Sequence, residues 1–170
     1  ARQFIFRMRE FEQMEIEYFV HPDTWEEHFQ KLLENVHDFL ENVIGIPANK
    51  IHELEVPAED RAHYSKRTID IEFDYPIGRE ELMGIAYRTD FDLSNIIRES
   101  GKNIEYRDKN TGECFIPHVI EPSFGVERLL MAVLVTSYVE EEKDGKKRTI
   151  LKLPEHLAPY RFCVSPLLKN

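Results

Sequence analysis

The most constraining feature of the chain is the segment Val119–Arg128, which reads Val-Ile-Glu-Pro-Ser-Phe-Gly-Val-Glu-Arg and continues into an apolar stretch. The pattern predicts a buried strand that breaks at Pro122, turns through Ser123 and Gly125 and leads into a helix with Arg128 in its first turn. The first turn of a helix offers free backbone N–H groups and the positive end of the helix dipole, so an anionic ligand can bind there. A single turn of this kind is more often a simple connector.

Length and composition limit the chain to one folded unit of moderate size. Its 170 residues, 42% of them hydrophobic, can bury one sizeable core, so a single domain is expected. The formal net charge of −10 argues against a nucleic-acid-binding surface as the main feature, because phosphate contacts need clustered lysine and arginine.

Cysteine usage and hydropathy indicate the compartment. Cys114 and Cys163 lie far apart without a CxxC partner, so neither a zinc site nor a disulfide framework is indicated. A reduced, cytoplasmic compartment fits this pattern. The sequence has neither a signal peptide nor an apolar stretch long enough to span a bilayer, so no membrane partner is expected.

Hydrophobic periodicity predicts a strand and then a helix at the start of the chain. Over residues 3–20 the even positions can pack on a core while the odd positions present charges. Residues 23–44 carry apolar side chains at helical spacing, with Asp23 and Glu26 as a capping pair and Gly45 as the stop. An acidic loop containing proline is expected to follow.

The rest of the chain mixes predicted strands and helices. Residues 68–75 alternate between polar and apolar, and a turn joins them to a second strand over 81–88, which indicates an antiparallel pair. Further predicted elements are a helix over 92–100 ended by Gly101, a hairpin over 103–121, a helix over 124–138 and a hairpin over 140–148. The helix over 124–138 is apolar nearly all round, so we expect it to be buried on more than one side. Without a regular βαβ order, we expect an α+β fold in which helices flank an antiparallel sheet.

Three segments resemble one known family. The sequence Glu-Pro-Ser-Phe-Gly-Val-Glu-Arg, residues 121–128, resembles motif 3 of the class II aminoacyl-tRNA synthetases in the wording typical of glycyl-tRNA synthetases. Residues 7–20 resemble the second strand of motif 2, and residues 81–93 resemble the strand that precedes motif 3 in the glycyl enzymes. Because the three segments occur in the family's order, together they are far more specific than any one of them. The resemblance implies a class II catalytic-domain-like fold, present in part.

The chain departs from the family pattern at both ends. Motif 1 and the first motif 2 strand, with its Phe-Arg-x-Glu signature, are absent, and residues 157–168 resemble the opening strand of an anticodon-binding domain. The expected division is therefore the C-terminal part of a catalytic domain over 1–153, with a helical insertion at about 22–60, and a linker with a first strand over 154–170. On this reading the chain is a piece of a synthetase that is weakly active or inactive alone.

The resemblance implies an ATP site built from arginines. Arg7 and Arg9 resemble the motif 2 arginines that approach ATP, Phe11 the ring that stacks on adenine, Arg128 the motif 3 arginine on its other face, and Arg88 the arginine near the phosphates. These groups supply positioning and positive charge around a phosphorus, and adenylate formation needs no protein nucleophile. The alternatives are that Arg7 and Arg9 are solvated strand charges, and that Arg88 binds a nearby aspartate.

The resemblance also implies a glycine site. Glu15 and Ser123 resemble the family residues that recognise glycine, with Glu121 beside them, and carboxylates can hold an ammonium group by charge-assisted hydrogen bonds. The alternatives are that Glu15 pairs with an arginine and that Ser123 caps the helix.

The alternation of side chains along a strand predicts open space for the ligand beside Arg88. It places Gly84, Ala86 and Arg88 on one face of their strand, where two small side chains leave room for a compact ligand. The same phase puts Glu81 on the opposite face, outside the site.

The function implied by the resemblance is activation of glycine by ATP and Mg²⁺ to glycyl-adenylate and its transfer to tRNA(Gly), in a homodimeric parent enzyme. A non-catalytic, synthetase-like binding module and a class II synthetase for another small amino acid remain alternatives. Retention of Phe11, Glu15, Ser123 and Arg128 together favours an enzyme, because a binding module needs no adenine sandwich. The histidines show no metal-like spacing, and the sequence identifies no ligands for Mg²⁺.

Overall fold

The computed structural model describes residues 4–167, whose centre is an antiparallel sheet. The strands are β1 (Gln13–Glu15), β2 (Tyr18–Val20), β3 (Ile51–Glu55), β4 (Arg67–Tyr75), β5 (Gly78–Thr89), β6 (Tyr106–Arg107), β7 (Cys114–Phe115), β8 (His118–Gly125), β9 (Tyr138–Lys143) and β10 (Lys146–Leu151). The α-helices are α1 (Trp25–Asp38), α2 (Phe91–Ser100) and α3 (Val126–Ser137), and shorter turns are 3-10 helices at Phe4–Phe6, Pro22–Thr24 and Ala48–Lys50 and a π-helix at Phe39–Ile44.

Six strands form the main sheet of the described part. Its order is β1-β8-β5-β4-β3, and β2 extends the edge by pairing with β8 beyond β1. All of the pairs are antiparallel, which confirms the predicted α+β fold with helices flanking an antiparallel sheet. Strand β8 therefore lies inside the sheet, between the N-terminal strands and β5.

The prediction that β8 breaks at Pro122 is wrong. The strand continues through Pro122, which lies opposite Ile85, and through Ser123, which lies opposite Gly84. The proline carbonyl accepts a 3.0 Å hydrogen bond from the backbone N–H of Ile16, so the side of Pro122 that has no N–H faces the N-terminal strands. One missing ladder bond is tolerated there because β1 ends before this point and β2 begins after it.

The prediction of a continuous strand over 3–20 with a buried even face is also wrong. Residue 3 lies outside the described residues; after it, only the two short strands β1 and β2 form. From residue 13 to residue 20, Met14 and Ile16 are about half exposed and only Val20 is buried, while the buried Phe6 lies in a 3-10 turn before the strands. The physical reason is position, because these strands lie at the edge of the described sheet and receive neighbouring atoms from one side.

The predicted pair β4 and β5 is confirmed, with one irregularity that matters for the site. Ile71 lies opposite Met83, whereas the next residue, Glu72, lies opposite Glu81. Strand β5 thus contains one extra residue, Leu82, and the adjacent residues Leu82 and Met83 are both buried. Such a β-bulge reverses the facing of every side chain on its far side.

The predicted amphipathic helix packs against one face of the sheet. Its buried stripe is Phe29, Leu33, Val36, Leu40 and Ile44. The π-helical end adds a residue to the last turn, so Ile44 is buried and Val43 is 42% exposed. Gly45 ends the helix in the left-handed conformation, as predicted.

Two details of this region were predicted wrongly. The Asp23–Glu26 capping pair does not form, because the His21 ring accepts the Asp23 N–H and residues 22–24 form a 3-10 turn before α1 begins. The segment expected to be an acidic loop contains β3, which pairs with β4 and extends the sheet within the range assigned to a helical insertion.

The second half follows the prediction in outline. Helix α2 ends at Gly101, and β9 and β10 form a hairpin with positive φ angles at Asp144 and Gly145. The predicted hairpin over 103–121 is shorter, because β6 and β7 pair locally whereas β8 joins the main sheet. Helix α3 was expected to be buried on more than one side; Leu129 and Ala132 are buried, but Leu130 is 56% exposed.

The strand expected over 157–168 does not form in its described part, residues 157–167, and Leu168 lies outside the described residues. A strand needs a hydrogen-bonded neighbour, and the described sheets place none beside this segment. Its assignment to the start of an anticodon-binding domain stays a prediction. Among the described helices, none has the length and apolarity needed to cross a lipid bilayer.

Two glycines that end helices give a matched test of packing. Gly45 and Gly101 both have left-handed φ angles, +84° and +67°, but a Cβ atom at Gly45 would lie 3.0 Å from Pro154 Cγ whereas the space at Gly101 is open. We expect Gly101→Ala to lower the free energy of unfolding by about 1 kcal/mol through the φ angle alone. Gly45→Ala should lower it further, because Pro154 must shift. Urea denaturation of both variants measures the difference, and equal losses would contradict the packing role of Pro154.

Candidate active site

Two adjoining cavities open on the face of the sheet that α1 leaves uncovered. The first has a volume of about 220 Å³ and is lined by Ile5, Phe6, Arg7, Met8, Phe11, Gln13, Glu81, Ser123, Gly125, Glu127 and Arg128. The second has a volume of about 460 Å³ and is lined by Gln13, Glu15, Val56, Asp60, Arg61, Ala62, Tyr64, Thr68, Asp70, Glu81, Gly84, Ile85, Ala86, Arg88, Glu121 and Ser123. Gln13, Glu81 and Ser123 line both cavities, so one extended ligand can occupy the two together.

Strand register places the floor of the second cavity. Asp70 of β4 lies opposite Gly84 of β5, Gly84 lies opposite Ser123 of β8, and Ser123 lies opposite Glu15 of β1. These four residues form one row across the sheet, and neighbouring strands are about 4.8 Å apart. Because Gly84 has no side chain, the row has polar groups on both sides of an open gap.

A second row confirms the predicted shared face of β5. Thr68, Ala86 and Glu121 lie opposite one another on β4, β5 and β8, and Gly84, Ala86 and Arg88 all line the second cavity. The two small residues leave the expected space beside Arg88.

Arg88 is held on several sides. Its Nε and Nη2 donate to Asp92 at 2.7 and 3.0 Å, and its Nη1 donates to Glu121 at 2.6 Å. The guanidinium also lies 4.0 Å from the ring centre of Tyr64. The sequence left open whether Arg88 binds an aspartate, and it does bind Asp92. The remaining N–H groups of Nη1 and Nη2 can still donate to a ligand.

Glu121 combines burial with several charged neighbours. Its side chain is 12% exposed. Burial raises the pKa of this carboxyl, the Glu17 and Glu15 carboxylates raise it further, and the Arg88 guanidinium opposes the shift. A ligand ammonium beside Glu121 would favour its charged form.

Arg128 forms one wall of the first cavity. Its Nη1 donates to the backbone carbonyl of Glu81 at 3.1 Å and lies 3.0 Å from the Glu81 carboxylate. Its guanidinium lies 5.3 Å from the ring centre of Phe6. The predicted stacking residue Phe11 lines the same cavity and is 55% exposed, so its ring is open to a ligand.

The exclusion of Glu81 from the site is wrong. The bulge at Leu82 changes the phase of β5, so Glu81 faces the same side as Gly84 and lines both cavities. In a sequence, the one sign of such a bulge is a pair of adjacent apolar residues that interrupts the alternation of polar and apolar positions. Leu82 and Met83 are such a pair.

The start of α3 differs from the open anion site that the sequence suggested. The backbone N–H of Val126 donates to the carbonyl of Glu12 at 3.0 Å, and the Glu127 carboxylate accepts from the N–H of Glu12. The helix N-terminus therefore anchors the loop that precedes β1. Ser123 does not cap the helix, because Gly125 is the N-cap and the Ser123 hydroxyl accepts a 3.1 Å hydrogen bond from Gln13.

The structure brings most of the predicted residues together. Arg7, Phe11 and Arg128 line the first cavity, and a separate group of Glu15, Arg88, Glu121 and Ser123 lines the second. Arg9 is exposed and lines neither cavity in the described part. Arg7 and Arg9 lie in an irregular segment, so their expected place on a strand face is wrong.

Asp70 lies in the candidate site but was not identified from the sequence. It lines the second cavity and has no hydrogen bond or ion pair with another described residue. Burial raises the pKa of Asp70 to about 6, with further increases from Glu81 and Glu72 and a decrease from Arg128. The alternation of polar and apolar residues in β4 places Asp70 on the polar face of the strand, but only its pairing with Gly84 places it beside the cavity.

The described residues contain no group of three or more His, Cys, Asp or Glu side chains that could hold a metal ion. The ligands of the expected Mg²⁺ are therefore not identified within this part of the chain.

Comparison with known proteins identifies the family. The model of the tRNA synthetase class II core domain (G, H, P, S and T) matches residues 2–137. The chain belongs to this family.

Curated relatives include several glycine–tRNA ligases. That of Ureaplasma urealyticum serovar 10 is 45% identical over 98% of the chain, that of Malacoplasma penetrans 48% identical over 96%, and that of Deinococcus radiodurans 44% identical over 99%. The chain spans 36% of the first two proteins and 37% of the third, little more than a third of their length.

Solved synthetase structures show the same fold at lower identity. Seryl-tRNA synthetase from Pyrococcus horikoshii, complexed with ATP, has a TM-score of 0.65 and 20% identity and covers 85% of this chain and 30% of that one. Giardia lamblia prolyl-tRNA synthetase in complex with prolyl-adenylate has a TM-score of 0.60 and 15% identity and covers 76% and 24% of the two chains. The class II fold of this family member is thus found in synthetases of other specificity.

Asp70 makes the stability of this class II domain depend on pH. Because its pKa is raised from 3.8 to about 6, the folded state holds the proton more tightly, and the charge costs stability as pH rises from about 4 to 6. Above pH 6 the Asp70 charge lowers the free energy of unfolding by its full amount. We expect Asp70→Asn to raise the free energy of unfolding at pH 7 by about 1 to 2 kcal/mol. This is less than the whole pKa shift would give, because solvent around the carboxylate screens its charge. Near pH 4 the substitution should have little effect.

Asp74 on the same strand is the matched control. Hydrogen bonds from His52 and Arg79 lower the pKa of Asp74, so its charge contributes stability above its unfolded pKa that is lost as pH falls. Asp74→Asn should therefore lower stability at pH 7. Urea denaturation of both variants at pH 4 and 7 measures the two effects, and a loss of stability in Asp70→Asn at pH 7 would show that the Asp70 charge is compensated.

Proposed function

We propose that this chain forms part of the active site of a glycine–tRNA ligase. The observation that carries the proposal is the junction of two cavities, one lined by Arg7, Phe11 and Arg128 and the other by carboxylates around the gap at Gly84. An aromatic ring with guanidinium groups suits a nucleotide, and a small acidic space suits the ammonium of an amino acid without a side chain. The identity of the chain to curated glycine–tRNA ligases supports glycine as the substrate.

In the proposed first step, a carboxylate oxygen of glycine attacks the α-phosphorus of ATP. A new P–O bond forms, the bond to the pyrophosphate oxygen breaks, and glycyl-adenylate and pyrophosphate result. In the second step a terminal ribose hydroxyl of tRNA(Gly) attacks the glycyl carbonyl; a C–O ester bond forms, the C–O bond to the adenylate phosphate breaks, and AMP leaves while the hydroxyl proton passes to its phosphate or to water. Neither step needs a covalent bond to the protein, so positioning and charge are what these residues supply.

The first cavity would hold the adenine and phosphates. We assign Phe11 to one face of adenine and Arg128 to the other, where the planar guanidinium can stack. Arg7 and Arg9 would follow the phosphates; the exposed Arg9 would have to move toward them. The P. horikoshii synthetase complexed with ATP and the G. lamblia synthetase with its adenylate support a nucleotide role for this fold.

The second cavity would hold glycine. We assign the ammonium to Glu15 and Glu121 and a hydrogen bond to the Ser123 hydroxyl, with the carboxylate directed toward the shared wall between the cavities. Arg88 orients Glu121 through the 2.6 Å hydrogen bond, and its spare N–H groups would point to the carboxylate or the α-phosphate.

The other ligands and the assembly also belong to the proposal. We propose that ATP binds with Mg²⁺, that tRNA(Gly) is the acceptor, and that the parent enzyme is a cytoplasmic homodimer. Mg²⁺ would bind mainly to ATP oxygens, which fits the usual coordination of this ion.

Glu15→Gln tests the glycine assignment in the full-length enzyme. It removes a charge that faces the ammonium and leaves the nucleotide cavity unchanged, so the glycine KM should rise by about tenfold to hundredfold, corresponding to about 1.5 to 3 kcal/mol, with little change in the ATP KM. Glycine-dependent exchange of pyrophosphate into ATP measures both constants. Glu99→Gln, an exposed glutamate on α2, is the control, and an unchanged glycine KM in Glu15→Gln would remove Glu15 from the site.

Arg128→Ala tests the nucleotide assignment. Loss of the guanidinium should raise the ATP KM more than the glycine KM, by about tenfold or more. The domain should also lose some stability, because Arg128 donates to the Glu81 carbonyl, so circular dichroism is used to check that the variant folds. Arg98→Ala on the exposed face of α2 is the control. A folded Arg128→Ala enzyme with a normal ATP KM would make Arg128 structural.

A further inference from the structure

Asp70 occupies a costly position for a carboxylate. It lies on the cavity face of β4 and is partly buried, and neither a hydrogen bond nor an ion pair joins it to another described residue. Burial raises the pKa of Asp70, the carboxylates of Glu81 and Glu72 raise it further, and the Arg128 guanidinium lowers it without forming an ion pair with Asp70. Partly buried charges in proteins are usually paired, so an unpaired one facing a cavity indicates a missing cationic partner.

The same strand carries a second aspartate, whose carboxylate is hydrogen-bonded to other side chains. Asp74 lies four residues along β4 on the same face, where His52 donates at 3.0 Å and Arg79 at 3.1 Å. The chain thus has partners for one aspartate of β4 and leaves the other facing the second cavity.

The register identifies the space that Asp70 faces. Asp70 lies beside Gly84, and a Cβ atom built on Gly84 would lie 3.4 Å from Asp70 Oδ1. On the far side of Gly84 lies Ser123, followed by Glu15. The missing side chain of Gly84 is therefore the gap that separates Asp70 from the groups already assigned to glycine.

We propose that Asp70 contacts the ammonium group of the substrate from the side opposite Glu15 and Ser123, and thereby completes the amino-acid site across the Gly84 gap. This inference rests on the proposed function. Its chemistry is that of a charge-assisted hydrogen bond from an ammonium, which has three donors, to a carboxylate that otherwise lacks one. Because the ligand approaches from two sides, a larger residue at position 84 would intrude between them.

A metal ion is the other cation that a carboxylate could bind. The described residues offer no group of three ligands for a metal, and Asp70 lies in the row with Gly84 and Ser123. These observations favour the ammonium.

The test compares Asp70→Asn with Asp74→Asn in the full-length enzyme by glycine-dependent pyrophosphate exchange. Asp70→Asn keeps the shape and removes the charge, so the glycine KM should rise by about tenfold to hundredfold while the ATP KM and the Mg²⁺ requirement stay near those of the parent. Asp74→Asn should change neither Michaelis constant. The thermal midpoint of the free enzyme should not fall in Asp70→Asn, because its charge is not compensated within the chain; a structural aspartate would give a lower midpoint.

Two results would overturn the inference while leaving the proposed function intact. They are an unchanged glycine KM in a folded Asp70→Asn enzyme, and a change confined to ATP or Mg²⁺, which would place the carboxylate on the nucleotide side. If Asp70→Asn did not fold, Gly84→Ala would serve instead, since a methyl group in the gap should raise the glycine KM and an unchanged value would overturn the inference. A parent enzyme that exchanges pyrophosphate without glycine dependence would instead refute the proposed function.

Discussion

The antiparallel pairing of β8 with β5 on one side and with β1 and β2 on the other is the constraint on which the site depends. It places Ser123 between Gly84 and Glu15, and it places Glu121 beside Ala86. These residues come from three distant parts of the sequence, and only hydrogen bonds between strands bring them together. Because side chains alternate between the faces of a sheet, the same pairing turns the neighbouring apolar residues of β8 toward α1 and the core.

The site shows a conflict between stability and binding. The helix-covered face of the sheet is apolar and closely packed, whereas the opposite face gathers acidic side chains around small residues. Burial raises the pKa values of both Asp70 and Glu121, and neighbouring carboxylates raise them further, Glu81 and Glu72 for Asp70 and Glu17 and Glu15 for Glu121. Such an arrangement weakens the free domain, and a cationic ligand would offset the repulsion. Arg88 forms an ion pair with Glu121 and none with Asp70, which leaves the Gly84 gap as the acidic part of the site.

Two irregularities of the sheet shape this space. The bulge at Leu82 turns Glu81 into the site, where its carboxylate lies 3.0 Å from Arg128 and links the two cavities. Pro122 removes one N–H from β8 and coincides with the break between β1 and β2. Neither irregularity follows from a regular period of two. Both depend on which neighbour each strand acquires, which a local pattern does not contain.

The sequence by itself determined the family, the α+β class, the strands β4 and β5, the helices and part of the lining of the two cavities. It could do so because apolar periodicity is local and the motif residues occur as contiguous segments. Tertiary structure alone decided the edge strand β3, the half-exposed start of the chain, the inward facing of Glu81 and the placement of Asp70 beside Gly84. The reason is that strand register and bulges are set by hydrogen bonds between residues far apart in the chain, whose partners no single segment specifies.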